Sequence, residues 1–387
     1  MDRFRLMPNY RYYNIEGVSP LTLEKSAGRP LRDYKIYGNS MQDGTPTTDS
    51  PVEIQSVGDK SKNLFDIADF AVKSNYSNAA TFDKVSVNGN SITISNASSV
   101  SIRLKNTKLY QYLKPNTKYT VNYKRKVVEG TESNTTGYIC LLPNVGSGYN
   151  FCYKTVPITR TTPSDLSSYT LLTIYGGANC TVTFSDIIIK EDDGNTKYEP
   201  YGYKIPITVD EETYNIYLDE PIQKMGSYAD YIDFINRKVI KKNKKATVYS
   251  ANWKEYKVIS DNVRAYIASN MFPDCNKTNA YNTSNKCNKF KYLIGSSVGT
   301  ATENDGEWLA LRNGTVYVAI KTEHLSEVTL EAATEYINGL NAEIVYQLAE
   351  PIEEDITLPT IKTHKGTNII TVGTTVPASN IAVQYYK

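Results

Sequence analysis

The chain has 387 residues, and its 43 Lys and Arg against 41 Asp and Glu give a formal net charge of +2, too small to draw in nucleic acid or an anionic membrane. The 32 tyrosines and only five methionines fit pleated, half-buried surfaces better than helices, which predicts a mainly β protein. No apolar run is long enough to span a bilayer and the start has no signal-peptide core, so we expect a soluble protein made in a cytoplasm, with no membrane insertion.

Residues 1–60 are predicted to form an N-terminal arm and connector. Two short extended pieces, Leu21 to Leu23 and Tyr34 to Tyr37, flank a Gly-Arg-Pro turn. The loop that follows, YGNSMQDGTPTTDSPVEIQSVGD at residues 37–59, contains no general base, nucleophile or metal-ligand set. Its Gly and Pro residues turn the chain before a predicted strand at Val52 to Ile54, and we interpret it as a connector between a docking segment and a β domain.

Residues 61–203 carry the alternation of a β-sandwich or jelly roll. The clearest hairpin is KVSVNGNSITIS, in which Val85 and Val87 face Ile92 and Ile94 across a predicted Asn88-Gly89 turn. Turn residues separate further strands at the spacing of such folds. The alternating residues of those strands are Val100, Ile102 and Leu104; Tyr119, Val121 and Tyr123; Leu171, Thr173 and Tyr175; and Cys180, Val182 and Phe184.

Residues 204–387 predict a C-terminal β-rich domain with one α-helix. Hairpins are predicted in IPITVDEETYNIYLDEPI, in DYIDFINRKVIKKNKKATVY, where Lys241 to Lys245 form a solvated basic tip, and at the end of the chain. The helix is predicted in EVTLEAATEYING, with Ser326 as its N-cap and Gly339 as its end. Its apolar stripe is Leu330, Ala333, Ile337 and Leu340.

A short repeated motif suggests that a segment is inserted within residues 204–387. YLDEPI at Tyr217 to Ile222 recurs as YQLAEPI at Tyr346 to Ile352, and both share Leu-x-Glu-Pro-Ile at a predicted strand end. We therefore expect residues of about 223–347 to be inserted into a β unit that the chain leaves and re-enters. A chance repeat is the alternative.

The sequence offers few groups for catalysis. The five cysteines include no CxxC pair, which indicates neither a zinc site nor a closed disulfide framework, and the pairing of Cys275 with Cys287 is left open. The only histidines, His324 and His364, are not near a nucleophile motif, and we predict no enzyme activity and no cofactor. Carboxylate pairs for glycan cleavage could still come from distant strands.

The densest acidic group consists of Asp186, Glu191, Asp192 and Asp193. We interpret it as a solvated turn, with a calcium site as the alternative.

Aromatic side chains are the main candidates for ligand binding. Tyr and Trp present flat apolar faces with a polar handle, which suits the C–H faces of sugars and suits protein interfaces equally well. The candidates in the predicted jelly roll are Tyr110, Tyr112, Tyr138, Tyr149, Tyr153 and Tyr175. Those in the inserted segment are Trp253 and Trp308.

The segment LTLEKSAGRPLRDYKIYGNSMQDGTPTTDSPVEIQSVGDKSKNLFD, residues 21–66, resembles a segment of tail and minor structural proteins of bacteriophages and prophages of low-GC Gram-positive bacteria. It departs from their pattern at Thr48, where a proline is frequent, and the change should loosen one turn. Residues 113–200 resemble the carbohydrate-binding-like jelly rolls of the same proteins, and residues 345–387 resemble their usual C-terminal end.

The resemblance implies a structural or adhesive component of a phage tail tip, baseplate or fibre, located in the virion after assembly in the host bacterial cytoplasm. It implies docking on other virion proteins through the N-terminal segment and a homo-oligomer, with a trimer favoured. It also implies binding of host cell-wall or surface polysaccharide. The alternatives are a virion-associated glycan-degrading enzyme and a capsid or neck decoration protein with no host-binding role.

Overall fold

A computed structural model describes residues 11–14, 21–26, 34–95, 101–105, 107, 109–131, 138–143, 151–153, 155–167, 169–176, 179–209, 211–277, 285–293, 298–361, 366–376, 378 and 380–383. The chain forms two compact units. We call residues 60–203 the continuous unit, and residues 1–59 with 204–387 the split unit. The division into arm, jelly roll and C-terminal domain remains a prediction. None of the helices in the described ranges has the length and hydropathy needed to cross a bilayer.

Strands account for most of the regular structure. The first six are β1 (Arg11–Asn14), β2 (Leu21–Ser26), β3 (Tyr34–Tyr37), β4 (Ser40–Met41), β5 (Gln55–Ser56) and β6 (Asp59–Lys60). Those of the continuous unit are β7 (Val85–Asn88), β8 (Ser91–Ile94), β9 (Ser101–Leu104), β10 (Lys118–Glu129), β11 (Tyr138–Pro143), β12 (Phe151–Tyr153), β13 (Ile158–Thr161), β14 (Tyr169–Tyr175) and β15 (Thr181–Glu191).

The remaining strands begin at the end of the continuous unit. They are β16 (Tyr203–Val209), β17 (Glu212–Leu218), β18 (Lys224–Met225), β19 (Tyr228–Ala229), β20 (Tyr231–Asp233), β21 (Lys238–Thr247), β22 (Lys254–Val258), β23 (Val263–Ala268), β24 (Lys286–Cys287), β25 (Lys291–Tyr292), β26 (Trp308–Arg312), β27 (Thr315–Lys321), β28 (Glu343–Asp355), β29 (Gly366–Val372) and β30 (Asn380–Val383). The α-helices are α1 (Leu109–Tyr112) and α2 (Leu330–Gly339). Short 3-10 helices lie at Ile67–Ala71, Lys73–Asn75, Ala79–Lys84, Val298–Thr300, Glu303–Asp305 and Thr322–His324.

The continuous unit is a sandwich of two antiparallel sheets. One has the order β13-β10-β15-β8-β7 and the other the order β12-β11-β14-β9. From β8 to β15 the chain changes sheet at every step except between β11 and β12, and this arrangement of two Greek keys is that of a jelly roll. The mainly β fold class predicted from the sequence is confirmed.

One hydrophobic core lies between these two sheets, and alternate residues of each strand enter it. Its strand residues include Ile92, Ile94, Ile102, Leu104, Val121, Tyr123, Ile139, Leu172, Ile174, Val182 and Phe184. In β14 the core residues are Leu172 and Ile174, so the alternating residues named from the sequence, Leu171, Thr173 and Tyr175, lie on the other side of the strand.

The predicted hairpin of the continuous unit is present, with Val85 paired to Ile94 and Val87 to Ile92. Its turn lies one residue later than predicted, since Asn88 still pairs with Ser91 and the loop is Gly89-Asn90. Gly89 has a φ of +56°. Glycine is the residue that adopts this conformation at the first loop position of a type II′ turn without strain.

The N-terminal part of the split unit is integrated into its main sheet. This seven-stranded sheet has the order β1-β30-β3-β20-β21-β28-β24, which places β3 between β30 and β20. A further sheet has the order β17-β16-β29-β2, and both sheets contribute side chains to one core. Tyr34, Ile36 and Val57 of the predicted arm lie in that core, so their apolar surface is already buried within the chain.

The loop at residues 37–59, which we call the connector loop, is anchored to later parts of the split unit. The amide of Gln42 donates to the carbonyl of Cys287 (2.7 Å), and the Val52 N–H donates to the carbonyl of Asn288 (2.9 Å). Thr48, where a proline was expected, is buried and donates to a carboxylate oxygen of Glu307 (2.6 Å). The strand predicted at residues 52–54 is instead β5 at Gln55–Ser56.

The segment after Thr247 forms its own sheet, of order β22-β23-β27-β26-β25, with helix α2 packed on it through Ala333 and Ile337. The helix was correctly predicted, but its cap was not. Thr329 occupies the N-cap and its hydroxyl accepts the N–H of Ala332 (3.2 Å), whereas Ser326 lies outside the helix. Leu330, predicted on the apolar stripe, is 44% exposed.

Two further predictions for this region were wrong. Lys241 to Lys245 lie within strand β21 rather than at a hairpin tip, and Lys241 is buried beside Glu220 and Glu354. The repeated Leu-x-Glu-Pro-Ile motif does not mark equivalent strand ends. Its first copy, Tyr217 to Ile222, extends beyond the end of β17, whereas its second copy, Tyr346 to Ile352, lies inside β28. Residues 223–247 contribute β20 and β21 to the main sheet.

Candidate functional site

The structure brings together two of the predicted aromatic residues, Tyr138 and Tyr175. They are direct cross-strand partners on β11 and β14, the two central strands of the four-stranded jelly-roll sheet. Their rings stack with centroids 4.4 Å apart and planes inclined by 27°. The adjacent pair, Ile139 and Ile174, is fully buried in the core, so the alternation of strand residues puts both tyrosines on the outer face.

Two polar residues share this outer face. Arg103 of β9 pairs with Thr173 of β14, and Thr173 precedes Tyr175 by two positions. Arg103 is exposed, while Thr173 is completely buried and its hydroxyl has no hydrogen-bond partner among the described residues. We call Arg103, Tyr138, Thr173 and Tyr175 the tyrosine face.

The tyrosine face combines stacking surface with hydrogen-bonding groups. Both tyrosines are half-buried, so part of each ring remains accessible. Burial raises the pKa of Tyr138, and the neighbouring Tyr175 raises it further, which keeps this hydroxyl protonated at neutral pH. Such a surface can pack against the C–H side of a sugar ring while the guanidinium and hydroxyl groups bind its oxygens.

The sequence did not indicate Arg103 or Thr173 as site residues. Thr173 was named only as an alternating strand residue, and Arg103 had no distinguishing local pattern. What unites the four residues is the register of three strands, with Tyr138 and Tyr175 separated by 37 positions in the chain. Alternation of residues along β9, with Ile102 and Leu104 buried, would have marked Arg103 as outward-facing once the strand was recognised.

Three other aromatic candidates, Tyr112, Trp253 and Trp308, are not part of this face. The ammonium of Lys60 lies 3.3 Å from the ring centroid of Tyr112, which covers one face of that ring. Trp253 is 3% exposed and its indole N–H donates to Asn338 (3.1 Å), and Trp308 is fully buried. Neither tryptophan can stack on a sugar in this structure. The side chains of Tyr110, Tyr149 and Tyr153 lie outside the described residues.

The four acidic residues proposed as an alternative calcium site each contact cations or hydrogen-bond donors of the protein. Asp186 pairs with Lys124 (2.6 Å) and Glu191 with Lys114 (2.5 Å). Asp192 accepts from Thr120 (2.8 Å), and Asp193 pairs with both Lys190 (2.8 Å) and Lys62 (2.9 Å). Those two lysines hold the pKa of Asp193 well below its usual range. No cluster able to hold a metal ion is present within the described part of the chain.

The described residues with catalytic or redox potential, His324, Cys275 and Cys287, belong to the split unit, whereas the tyrosine face belongs to the continuous unit. The imidazole of His324 stacks on Tyr336 with a centroid distance of 5.4 Å, and its Nε2 lies 3.5 Å from a carboxylate oxygen of Glu307. His364 lies outside the described residues. Cys275 and Cys287 are buried free thiols, and burial raises the pKa of Cys287 to about 11.

Comparison with known proteins does not assign this chain to a family. No family model matches the sequence. No curated protein matches it at a significant level. Its function is therefore inferred from the resemblance of the N-terminal, central and C-terminal segments and from the chemistry of the tyrosine face.

Proposed function

We propose that this protein is a non-enzymatic structural and adhesive component of a bacteriophage tail tip, baseplate or fibre, and that it binds host cell-surface glycan through the tyrosine face. The observation that carries the binding proposal is the stacked pair of Tyr138 and Tyr175 at the centre of the outer face of a jelly-roll sheet. The resemblance of residues 21–66 to phage tail and minor structural proteins supports the virion assignment.

Each part of the tyrosine face has a distinct role in this proposal. The paired rings exclude water from one side of a sugar, and they lose little conformational entropy because they already stack on each other. Arg103 is exposed and supplies N–H donors at the edge of the face, whereas Thr173 is completely buried and does not contact the ligand. Affinity from one such face would be modest, and the proposed trimer would raise it through simultaneous binding of several faces.

The binding role is tested with purified protein and cell walls of a susceptible host. We expect Tyr138→Ala with Tyr175→Ala to reduce binding about tenfold or more, since each lost 1.4 kcal/mol weakens binding tenfold. Tyr249→Ala is the matched control, because Tyr249 is 64% exposed and belongs to the split unit. Equal binding by the double variant and the control would refute the role of the tyrosine face.

The same assay separates adhesion from glycan cleavage. A binding protein leaves the cell walls intact, whereas the alternative of a virion-associated glycan-degrading enzyme predicts release of reducing ends over time. The other alternative, a capsid or neck decoration protein, predicts no cell-wall binding.

A cryo-EM map of the particle would locate the chain, and density at the capsid rather than the tail would exclude the proposed location.

A further inference from the structure

The connector loop forms one wall of a cavity of about 530 Å³ within the split unit. The other walls come from the β18–β19 hairpin and from the segment 285–292. The loop is held in this position by Gln42, whose amide also donates to the carbonyl of Val52 (3.1 Å), and by the hydroxyl pair of Ser40 and Ser56 (3.2 Å). The cavity is therefore built by contacts between distant parts of the chain.

All the charged side chains in the described lining of this cavity are positive. Lys224, Lys286 and Lys291 line it, and its described lining includes no carboxylate. None of these three ammonium groups forms an ion pair within the part of the chain that the structure describes. Other lysines of the same unit do, since Lys244 pairs with Asp274 (2.5 Å) and Lys245 with Glu343 (2.7 Å).

The cavity is also lined by a buried side-chain amide, which needs a hydrogen-bond partner. Asn285 lines the cavity and is 5% exposed, and its Nδ2 donates to the hydroxyl of Tyr292 (3.0 Å). That bond fixes the amide with its Oδ1 as the remaining acceptor, and this oxygen has no partner among the described residues. A ligand hydroxyl that reaches this buried oxygen from the cavity would satisfy it.

We propose that this cavity binds an organic phosphate, that is, a phosphate group carried on a hydroxyl-bearing carbon scaffold. Three unpaired lysines around one cavity favour a group with two negative charges over a neutral sugar. The amide of Asn285 favours a scaffold with hydroxyl groups over a bare anion. The proposal does not depend on the tyrosine face, which belongs to the continuous unit, so failure of either leaves the other standing.

Isothermal titration of the full chain with three probes tests the ligand class. We expect glycerol 3-phosphate to bind at least tenfold more tightly than inorganic phosphate, and glycerol to bind too weakly to detect. Binding should weaken as salt is raised from 20 to 300 mM, because screening reduces the attraction of the lysines for the anion. Equal affinity for glycerol and glycerol 3-phosphate would overturn the anionic assignment. Equal affinity for the two phosphates would overturn the requirement for a scaffold.

Lysine substitutions test whether the cavity is the binding site. Lys224→Gln, Lys286→Gln and Lys291→Gln together should weaken glycerol 3-phosphate binding at least tenfold. The control variant removes the same number of charges at Lys118, Lys126 and Lys254, which are exposed and do not line the cavity, and should bind as the unaltered chain does. Should the triple variant fail to fold, Lys291→Gln alone alters an exposed side chain and should still weaken binding severalfold. Equal losses in the cavity and control variants, or no binding by the unaltered chain, would overturn the proposal.

Discussion

The continuous unit is built from antiparallel strands and the split unit from mainly antiparallel ones, with β25 and β26 paired in parallel, and the two units bury their strands differently. In the continuous unit each sheet has one face in the core, and buried and half-buried residues alternate along β8, although β15 has four consecutive buried residues, Ile187 to Lys190. In the split unit, β26 has four consecutive buried residues, Trp308 to Leu311. Leu309 and Leu311 enter one core while Trp308 and Ala310 enter another on the opposite face. Alternation is therefore a reliable guide only where one face of a sheet meets solvent.

The largest expected effects come from truncating one core residue in each unit. Phe184→Ala and Trp308→Ala each remove a fully buried aromatic ring and should lower the free energy of unfolding by about 3 to 5 kcal/mol. Both tryptophans of the chain belong to the split unit, so tryptophan fluorescence during denaturation follows that unit and circular dichroism follows both.

If the two units unfold independently, Phe184→Ala should leave the fluorescence midpoint unchanged and shift only part of the circular dichroism transition. Trp308→Ala should lower the fluorescence midpoint, which Trp253 still reports. If both variants lower the fluorescence midpoint, the two units unfold as one. The difference between the continuous and split units would then not include a difference in stability.

A smaller effect is expected from Asp230→Asn in the split unit. The buried carboxylate accepts four N–H groups: those of Gln223 (2.8 Å), Lys242 (2.7 Å) and Asn243 (2.9 Å), and the side-chain amide of Asn243 (2.9 Å). An asparagine cannot accept at both positions, so one buried donor loses its partner, at a cost of about 1 to 3 kcal/mol. Chemical denaturation followed by tryptophan fluorescence measures the loss.

The same carboxyl group predicts a pH dependence. Burial raises the pKa of Asp230 from its ordinary value of 3.8 to about 6, against the opposing effect of its N–H donors. The folded protein then holds the proton more tightly than the unfolded chain, so this stabilisation is complete below about pH 4 and is lost as the pH rises to 6. The stability advantage over Asp230→Asn should shrink between pH 4 and pH 7. An advantage that grows with pH would mean that the N–H donors outweigh burial.

The smallest expected effect concerns the cap of helix α2. Thr329→Ala removes the hydroxyl that accepts the N–H of Ala332 and should cost about 1 kcal/mol. Ser326→Ala, at the position predicted from sequence, should change the free energy of unfolding by less than half of that, because the residue lies outside the helix. A larger loss from Ser326→Ala would restore the sequence-based assignment.

Local patterns in the sequence predicted local structure well. The Val85 to Ile94 hairpin and the α2 helix depend on residues a few positions apart, and both are present. Their details shifted by one to three residues because Asn88 and Gly89, or Ser326 and Thr329, are chemically suited to the same role.

Long-range features could not be predicted in this way. Lys241 looked like part of a solvated tip because its partners, Glu220 and Glu354, are 21 and 113 positions away. The pairing of Tyr138 with Tyr175 depends on strand register, which no local pattern specifies. The lysine-lined cavity requires the connector loop to meet residues more than 200 positions later.

The position of β3 between β20 and β30 has a consequence for the order of folding during synthesis. Tyr34 to Tyr37 pairs on one side with residues 380–383, which leave the ribosome about 340 residues later. At roughly 5 to 20 residues per second, that delay is on the order of tens of seconds. The continuous unit can complete its jelly roll during this time, whereas the edge of β3 that pairs with β30 remains unpaired. We expect ribosome-bound chains to protect the continuous unit from protease well before the first 59 residues are protected.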